Sequence, residues 1–456
     1  MTETSRDICP ASARLNPGRD PGPWYRTLMP FEHFNSIRTQ EFPYTCDVRQ
    51  LAGLGPATVA TRDASGTYYA PYNVVTRERD ELFVYGGYVN VDDGAYVAKL
   101  DATSLNETWR VNLKVAKKDW FEWPGVAGVL GNGFVYAVAG NLLGKIDPAS
   151  GAIRIKHLPE HRGGFGAAYN GFVVTEGGVL ICKSMERGTD AVNGQLGLRA
   201  VAKNGIPAFL LAIDPETLEI LAEIQTEEPI LGRVTVARSG GRDYVYLAGT
   251  THIWRYLYTG DAFVLDTAWN PLYVDTAIGE EPGTACGLLH DWVVVQTNFL
   301  FAKAPLRISA FHVEDAGRAH TLVPFPDGAP SQEFSKPAID PATWRIYTND
   351  QVAGLVGAVD LNPKSGLSLA WKAEQSMASF WAIVGPERDR NIIGTDHTPR
   401  GDHVLWRDAK DGRELVRSAV LDPKLNPGIV ASGFNGRFYY LAEERSKVVE
   451  LSLLSR

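Results

Sequence analysis

The sequence predicts an all-β protein, a β-propeller of eight four-stranded blades with an irregular N-terminal arm; seven blades is the alternative count. Three observations lead to this prediction. A short hairpin with an Asp-containing turn recurs along the chain, the recurring unit has the length of one propeller blade, and 45 Gly with 27 Pro in 456 residues indicate many turns. We expect residues 1–50 to form the arm and residues 51–456 to form a single propeller domain.

The clearest copy of the repeated hairpin lies at residues 141–159 and reads NLLGKIDPASGAIRIKHLP. An apolar run leads to Asp147, a turn follows at residues 148–151, and an alternating run leads away. The Asp carboxylate can accept hydrogen bonds from the backbone of its own turn, and Gly151 can adopt a positive φ without a Cβ clash. The pattern therefore predicts two antiparallel strands joined by a tight turn.

The hairpin returns at the spacing of propeller blades. Where the Asp is kept, the step from Asp101 to Asp147 is 46 residues and the step from Asp360 to Asp408 is 48 residues. Each hairpin follows two short apolar segments, which makes four strands per unit. Eight units can be counted, and the last lacks its outermost strand. We therefore expect a segment from the N-terminal region to complete the last blade and close the ring.

Residues 1–50 have no strand or helix period, but they are rich in aromatic residues such as Trp24, Phe31 and Phe34. Segments with this many aromatic side chains tend to bury them, so disorder is not expected. We predict an arm that packs across the outside or one end of the propeller.

Composition narrows the classes of partner. The formal net charge is −8, and no run of Lys or Arg is longer than the pair Lys117 and Lys118, so nucleic acid is not expected as a partner. No apolar run approaches the roughly 18 residues that could cross a bilayer, and the N-terminus has no apolar signal segment. We therefore expect no membrane association and a cytoplasmic protein, unless a signal peptide is missing.

The four cysteines are Cys9, Cys46, Cys182 and Cys286, and no two of them are close in sequence. Widely spaced cysteines without a CxxC pattern are typical of buried free thiols. Free thiols are therefore expected here, rather than disulfides or metal ligands.

The hairpin pattern, with its Asp turn followed by a Trp, resembles the repeat of propellers that carry pyrroloquinoline quinone, and of the larger group that shares the repeat without the cofactor. Trp109 after Asp101 and Trp371 after Asp360 stand where that family often places a tryptophan that docks one blade on the next. The resemblance covers the chain from about residue 60 onward and implies the propeller fold.

Quinone dehydrogenases of that type use a pair of adjacent cysteines, a Ca²⁺ site and a Trp stacked over the quinone. No two cysteines are adjacent in this sequence, so the resemblance is applied to the scaffold and no cofactor is expected. A second resemblance, of the string LLHDWVVVQTN around His290 to carotenoid-cleaving oxygenases, implies an iron ion held by four histidines. The other histidines fall mostly in turns or outer hairpins, so no metal is expected.

The innermost strands of a propeller surround its channel, and the loops that lead into them form the usual ligand site. The residues at these positions combine large aromatic side chains with a few ionisable groups, which is typical of a pocket for an organic ligand. They are Tyr69, Tyr72, Trp120, Glu122, Trp123, Phe165, Tyr169, Asn170, Arg233, His290, Glu333, Phe334, Lys336, Phe380, Trp381, Asn426 and Asn435. Those expected to contact substrate are Tyr72, Trp120, Trp123, Tyr169, Arg233, Phe334 and Trp381.

Four residues of this set are the catalytic candidates. Glu122 lies between two tryptophans that would desolvate its carboxyl group and suit it to acid/base chemistry. Glu333 and Lys336 stand three residues apart where one inner strand begins, and His290 is the fourth candidate. The alternatives are an ion pair for Glu333 with Lys336, blade packing for the tryptophans and a hydrogen-bonded structural role for His290.

The preferred hypothesis is a cytoplasmic enzyme that acts on a small apolar or aromatic molecule at the channel mouth by acid/base chemistry, as a lyase, isomerase or hydrolase. The alternative is a non-catalytic propeller that binds a ligand or serves as a protein-interaction scaffold. A metal-dependent enzyme is the third hypothesis. The long segment 186–204 is expected to be either a lid over the ligand site or a surface loop.

Overall fold

The computed structural model describes residues 8–53, 55–87, 94–116, 119, 126–160, 168–187, 194–422, 430–442 and 445–455. These residues form eight antiparallel sheets arranged as an eight-bladed propeller, which confirms the predicted fold class and blade number. Buried apolar side chains form layers between neighbouring blades. None of the described helices is long and apolar enough to cross a bilayer.

Each blade has four strands, numbered here from the channel outward. Blades 1 to 4 comprise Pro71–Thr76, Glu81–Gly87, Ala95–Asp101 and Glu107–Leu113; Ala127–Val129, Val135–Ala139, Leu142–Ile146 and Ile153–His157; Phe172–Val174, Leu180–Lys183, Phe209–Ile213 and Ile220–Gln225; Val234–Ser239, Arg242–Ala248, Ile253–Tyr258 and Phe263–Leu265. Blades 5 to 8 comprise Gly287–Leu289, Trp292–Gln296, Ile308–His312 and Ala319–Leu322; Ala338–Asp340, Arg345–Asp350, Leu355–Asn362 and Gly366–Glu374; Ala382–Val384, Asn391–Thr398, Gly401–Asp408 and Glu414–Arg417; Ala431–Ser432, Arg437–Ala442, Lys447–Ser455 and Ala57–Asp63.

The few helices of the described chain are short. They are α1 (Pro10–Arg14), α2 (Val48–Ala52), α3 (Gly194–Asn204) and the 3-10 turns Glu387–Asp389 and Phe434–Gly436. A two-residue strand of the arm, Glu41–Phe42, pairs in parallel with the innermost strand of blade 7.

Blade 8 is built from two distant parts of the chain. Its outermost strand, Ala57–Asp63, pairs antiparallel with Lys447–Ser455 over seven residue pairs. This pairing gives blade 8 its fourth strand and closes the ring, so the expectation that an N-terminal segment completes the last blade is confirmed.

The repeated hairpin has the chemistry expected from its sequence. Asp147 Oδ1 accepts hydrogen bonds from the amides of Ala149 at 3.0 Å and Ser150 at 2.8 Å, and Gly151 has a φ of 73°. The following turn-docking contact is also present, because Trp109 Nε1 of blade 1 donates to the carbonyl oxygen of Pro148 in blade 2 at 3.4 Å. The tryptophan therefore joins one blade to the Asp turn of the next.

The arm lies inside the channel, and the prediction that it packs on the outside or one end is wrong. Residues 29–40 pass the innermost strands of blades 1 to 7 in order and bind the backbone of each. The amides that donate to arm carbonyl oxygens are Thr76 to Met29 (2.9 Å), Val129 to Pro30 (2.8 Å), Val236 to Ser36 (3.1 Å), Leu288 to Ile37 (3.2 Å), Ile339 to Thr39 (2.8 Å) and Ile383 to Gln40 (2.9 Å). Blade 3 is bound through the Ser36 side chain.

This position has a simple physical reason. The innermost strand of a blade is a sheet edge, and its backbone groups need partners that sit in the channel. The arm supplies these partners, and three of its residues, Phe34, Arg38 and Gln40, adopt positive φ values of 59–70° as the chain curves around the ring. The arm therefore plugs the channel instead of covering an outer surface.

A disulfide joins Cys9 to Cys46, so the expectation of free thiols is wrong for these two cysteines. The fold brings the beginning and the end of the arm together, which no local spacing indicates. Cys182 and Cys286 are free and buried, as expected. The cytoplasmic location stays a prediction; disulfides are more typical of oxidising compartments.

Candidate functional site

A small enclosed cavity lies at the upper end of the channel, defined here as the end where the innermost strands begin. The side chains around it come from the segments that lead into the blades, from a loop of blade 5 and from α3. They are Tyr72, Asn170, Leu198, Leu231, Arg233, Thr284, Phe299, Phe334 and Phe380, with the backbone of Gly232. The free volume is about 30 Å³, room for about two or three water molecules because one needs roughly 10–15 Å³.

Two glycines allow the cavity wall to form. The amide of Arg233 donates to the carbonyl oxygen of Thr284 at 2.8 Å, and a Cβ on Gly232 would lie only 1.4 Å from that oxygen. A Cβ on Gly171 would lie 2.7 Å from Arg233 Nη1. Side chains at either position would therefore separate the blades or displace the guanidinium group.

The arm forms the floor below the cavity and brings buried charges to it. Glu32 Oε1 lies 3.3 Å from Arg38 Nη1 and 3.6 Å from Arg233 Nε, so one carboxylate oxygen serves two guanidinium groups. Arg38 Nε also donates to the carbonyl oxygen of Val234 at 2.6 Å. Arg233 Nη2 donates to the hydroxyl of Tyr72 at 2.6 Å. The floor is thus one connected polar group.

Burial and charge set the protonation states of this group. Burial acts to raise the pKa of Glu32, but the charge of Arg233, with His33 and Arg38, outweighs it and lowers the value to about 2. Burial lowers the pKa of His33 to about 3 and raises that of Tyr72 to about 12. At neutral pH the floor therefore holds an ionised Glu32, a neutral His33 and a protonated Tyr72.

Three polar atoms of the lining have no hydrogen-bond partner. They are Arg233 Nη1, Thr284 Oγ1 and Asn170 Oδ1, and each belongs to a residue that is buried. A buried polar atom without a partner costs about 1–3 kcal/mol, so three of them around one cavity indicate a place for a bound molecule.

Several of the residues chosen from the sequence meet at this cavity. Tyr72, Arg233 and Phe334, expected as substrate contacts, all line it, as do Asn170 and Phe380 from the wider channel set. Their role as ligand contacts stays a prediction. They meet because each stands at the start of an innermost strand or just before one.

Two other expected contacts lie elsewhere. Tyr169 is fully buried, and its hydroxyl donates to the carbonyl oxygen of Pro159 at 2.9 Å. Trp381 is also fully buried and packs against Gly394 and Met377. The structure thus places both in the packing of blades, away from the cavity lining.

His290 lies at the opposite, lower end of the channel. It follows the strand Gly287–Leu289 instead of preceding it, is exposed, and its Nε2 lies 2.8 Å from the carbonyl oxygen of Pro341. Its ring also contacts Trp344. A role with the other catalytic candidates is therefore wrong, because the length of an inner strand separates it from them.

Glu333 and Lys336 are both buried but do not pair with each other among the described residues. Glu333 Oε1 accepts from the amide of Ser335 at 2.5 Å, and Lys336 Nζ donates to the carbonyl oxygen of Pro337 at 2.8 Å. Burial raises the pKa of Glu333 well above its usual value and lowers that of Lys336 well below its own. Neither lines the cavity, so the rim ion pair is not formed and the two do not face a common ligand.

The remaining expected residues, Glu122, Trp120 and Trp123, lie outside the described residues, as do Phe165 and Asn426. Within the described part of the chain, no group of three His, Cys, Asp or Glu residues could hold a metal ion.

Sequence reasoning missed Thr284 and the arm residues Glu32 and Arg38. Thr284 stands three residues before the strand Gly287–Leu289, the position rule that selects Arg233 in blade 4. The signal in the arm is the string PFEHFNSIR, in which charges alternate with aromatic residues that need burial.

The segment expected as a lid contains the helix α3. Leu198 on this helix lines the cavity and packs with Val201, Leu231 and Phe299. Arg199 Nη2 donates to the carbonyl oxygen of Phe301 at 3.1 Å. The helix therefore covers the upper end of the channel.

No protein-family model matches the sequence, and no curated protein matches it. Solved structures do. Quinohemoprotein alcohol dehydrogenase from Comamonas testosteroni superposes with a TM-score of 0.62 at 12% identity, over 97% of this chain and 81% of that one. Europium-containing methanol dehydrogenase gives 0.60 at 9%, over 94% and 89%. BamB from Moraxella catarrhalis gives 0.51 at 14%, over 87% and 99%. The chain has the fold of the pyrroloquinoline-quinone-like β-propellers.

These similarities overturn the expected reaction class. The neighbours with this propeller fold are alcohol and methanol dehydrogenases, which are oxidoreductases, together with BamB. The expected acid/base residues also fail to form a set, as their positions show. The prediction of a lyase, isomerase or hydrolase is therefore wrong. The same fold is compatible with a protein partner.

The names of the neighbours raise the question of whether a quinone fits this pyrroloquinoline-quinone-like propeller. The cofactor has three fused rings, whereas the cavity has a free volume of about 30 Å³, enough for only a few water-sized groups. The arm fills the channel directly below with the buried side chains of Phe31, Glu32 and His33. The residues present do not fit this quinone.

Proposed function

We propose that the protein is a binding protein that encloses a small molecule at the upper end of its plugged channel. The observation that carries this proposal is the set of three buried, unpartnered polar atoms, from Arg233, Thr284 and Asn170, around one closed cavity. Polar groups in a protein interior are normally paired, and a bound molecule supplies the missing partners.

The shape of the site supports binding. Aromatic rings of Phe299, Phe334 and Phe380 wall the cavity, while Leu198 of α3 covers it and the arm closes it from below. A mainly apolar pocket with a few directed polar groups is typical of small-molecule sites. Enclosure on all sides favours retention of the ligand over rapid turnover, because release requires movement of the wall.

Equilibrium dialysis of the full-length protein against a mixed library of small organic compounds, read by mass spectrometry, tests the proposal. We expect the native protein to retain at least one compound about tenfold above its free concentration. Two cavity-filling variants, Leu198→Phe and Thr284→Leu, serve as comparisons, and their melting temperatures verify folding. Equal retention of every compound by the native protein and by whichever variants fold would contradict the proposal.

A further inference from the structure

The buried charges around the cavity do not balance. Arg38 and Arg233 are 0% and 5% exposed, and the one carboxylate that meets both is Glu32, at 2%. His33 and Lys336, the other ionisable groups around this cluster, are buried, and burial lowers the pKa of each. Two guanidinium groups therefore share one negative charge, and an unpaired buried charge is strongly unfavourable.

Arg233 directs its unpaired side at the cavity. Its Nε faces Glu32 at 3.6 Å, its Nη2 donates to Tyr72 at 2.6 Å, and its Nη1 has no partner. The guanidinium group is thus held from two sides while the third is open. This fixed orientation is typical of arginines that bind an anionic oxygen.

Two further donors accompany the guanidinium. Tyr72 accepts the hydrogen bond from Arg233, so its own hydroxyl hydrogen is available to a second acceptor. Thr284 Oγ1 has no partner in the wall, and its hydroxyl can donate as well. Together with Nη1 they offer three donors to one small space, which suits a ligand with two acceptor oxygens and a negative charge.

Size and wall chemistry narrow the anion. The free volume of about 30 Å³ accommodates roughly two or three water-sized groups, the scale of a carboxylate with a very short carbon chain. The surrounding wall of Phe299, Phe334, Phe380 and Leu231 is apolar, which favours a carbon-bearing anion over a fully hydrated inorganic one. We propose that the molecule bound here is a small organic acid whose carboxylate contacts Arg233, Thr284 and Tyr72. This inference rests on the proposed binding function.

Thermal unfolding with acetate, acetamide and chloride at constant ionic strength tests the charge of the ligand. Acetate and acetamide have nearly the same shape and differ in charge. We expect acetate to raise the melting temperature of the native protein in a saturable way, with little effect from acetamide or chloride. Equal effects of acetate and acetamide, or stabilisation by chloride alone, would overturn the inference.

Two substitutions locate the effect. Thr284→Val keeps the size of the side chain and removes one donor, so the acetate concentration for half-maximal stabilisation should rise about tenfold. Thr321→Val, on the exposed outer strand of blade 5, is the matched control and should change nothing. Arg233→Gln should abolish the acetate response; if it does not fold, Thr284→Val still decides. An unchanged acetate response in Thr284→Val would overturn the assignment.

The outcomes separate this inference from the proposed function. If dialysis finds a neutral or cationic compound in the cavity, the protein is a binding protein but its ligand is not a carboxylate. If dialysis finds no retained compound and acetate has no effect, both proposals fail.

Discussion

Ser36 and Val174 bind each other reciprocally: Ser36 Oγ donates to the carbonyl oxygen of Val174 at 2.6 Å and accepts from its amide at 3.2 Å. The two residues are 138 positions apart. One serine side chain thus takes the place of a neighbouring strand for the edge of blade 3, and it does so inside the channel.

Replacing this serine should loosen the arm. Ser36→Ala leaves the backbone groups of Val174 without their partner in a buried place, so we expect a loss of roughly 2 kcal/mol in the free energy of unfolding. Ser65→Ala is the control, because Ser65 is exposed and bonds only Asn106 among the described contacts. Urea unfolding measures both, and an equal, small effect of the two substitutions would contradict the role of Ser36.

A pair of glycines separates backbone strain from blade docking. Gly412 and Gly241 have φ values of 75° and 77°, but a Cβ on Gly412 would lie 2.4 Å from the Trp371 ring, whereas nothing lies within 4 Å of one on Gly241. We expect Gly241→Ala to cost about 1–2 kcal/mol from the left-handed backbone alone. Gly412→Ala should cost more, because the ring must move and its hydrogen bond to Ala409 would be lost. Similar melting temperatures for the two variants would show that the docking contact adds nothing.

The disulfide should stabilise the folded arm. Cys9 and Cys46 are 37 residues apart, and closing a loop of this length typically contributes about 2–4 kcal/mol. We expect the variant with both Cys9→Ser and Cys46→Ser to unfold at a lower urea concentration, and a dithiol reductant to lower the midpoint of the native protein to a similar value. The double variant itself should not respond to the reductant. A native protein whose midpoint is unchanged by full reduction would contradict this prediction.

His33 should make stability depend on pH. Burial lowers the pKa of His33 to about 3 from 6.5, so below pH 6.5 the unfolded chain binds a proton that the folded chain does not. The free energy of unfolding should therefore fall as the pH drops from 6.5 towards 3, by up to about 1.4 kcal/mol per pH unit. Glu32, with its pKa lowered to about 2, adds a loss in the same direction below about pH 4.5.

Substitution isolates the histidine contribution. His33→Gln should flatten the dependence between pH 6.5 and 4.5, while His290→Gln, at the exposed lower end, should leave it unchanged. Urea unfolding at four pH values across this range gives the slopes. Identical slopes for His33→Gln and the native protein would contradict the assignment.

The features that the sequence predicts well are those with local chemistry. The Asp147 turn and Gly151 form within five residues, and their repetition determines the blade count. The arm could not be placed in this way, because its contacts, such as Ser36 with Val174, join residues far apart and leave no periodic pattern. The Cys9–Cys46 disulfide escaped prediction for the same reason.

The site was partly predictable for a geometric reason. The rule that ligand residues precede the innermost strands selects Tyr72, Arg233 and Phe334, which line the cavity. His290 was chosen for its chemistry although it follows its strand, and Thr284, on the correct side of that strand, was passed over as an ordinary polar residue. Position along the strand was the better guide than residue type.

The pairing of Ala57–Asp63 with Lys447–Ser455 also fixes a timetable for synthesis. Blades 1 to 7 use strands that are close in sequence and can form as the chain is made. Blade 8 cannot be completed until residue 455 has left the ribosome, so Ala57–Asp63 remains an open sheet edge for nearly the whole of translation. Exposed edges invite wrong pairing. The newly made chain is therefore most vulnerable to aggregation at its earliest strand, and protection of that strand by a chaperone would matter more here than in a protein whose sheets are all local.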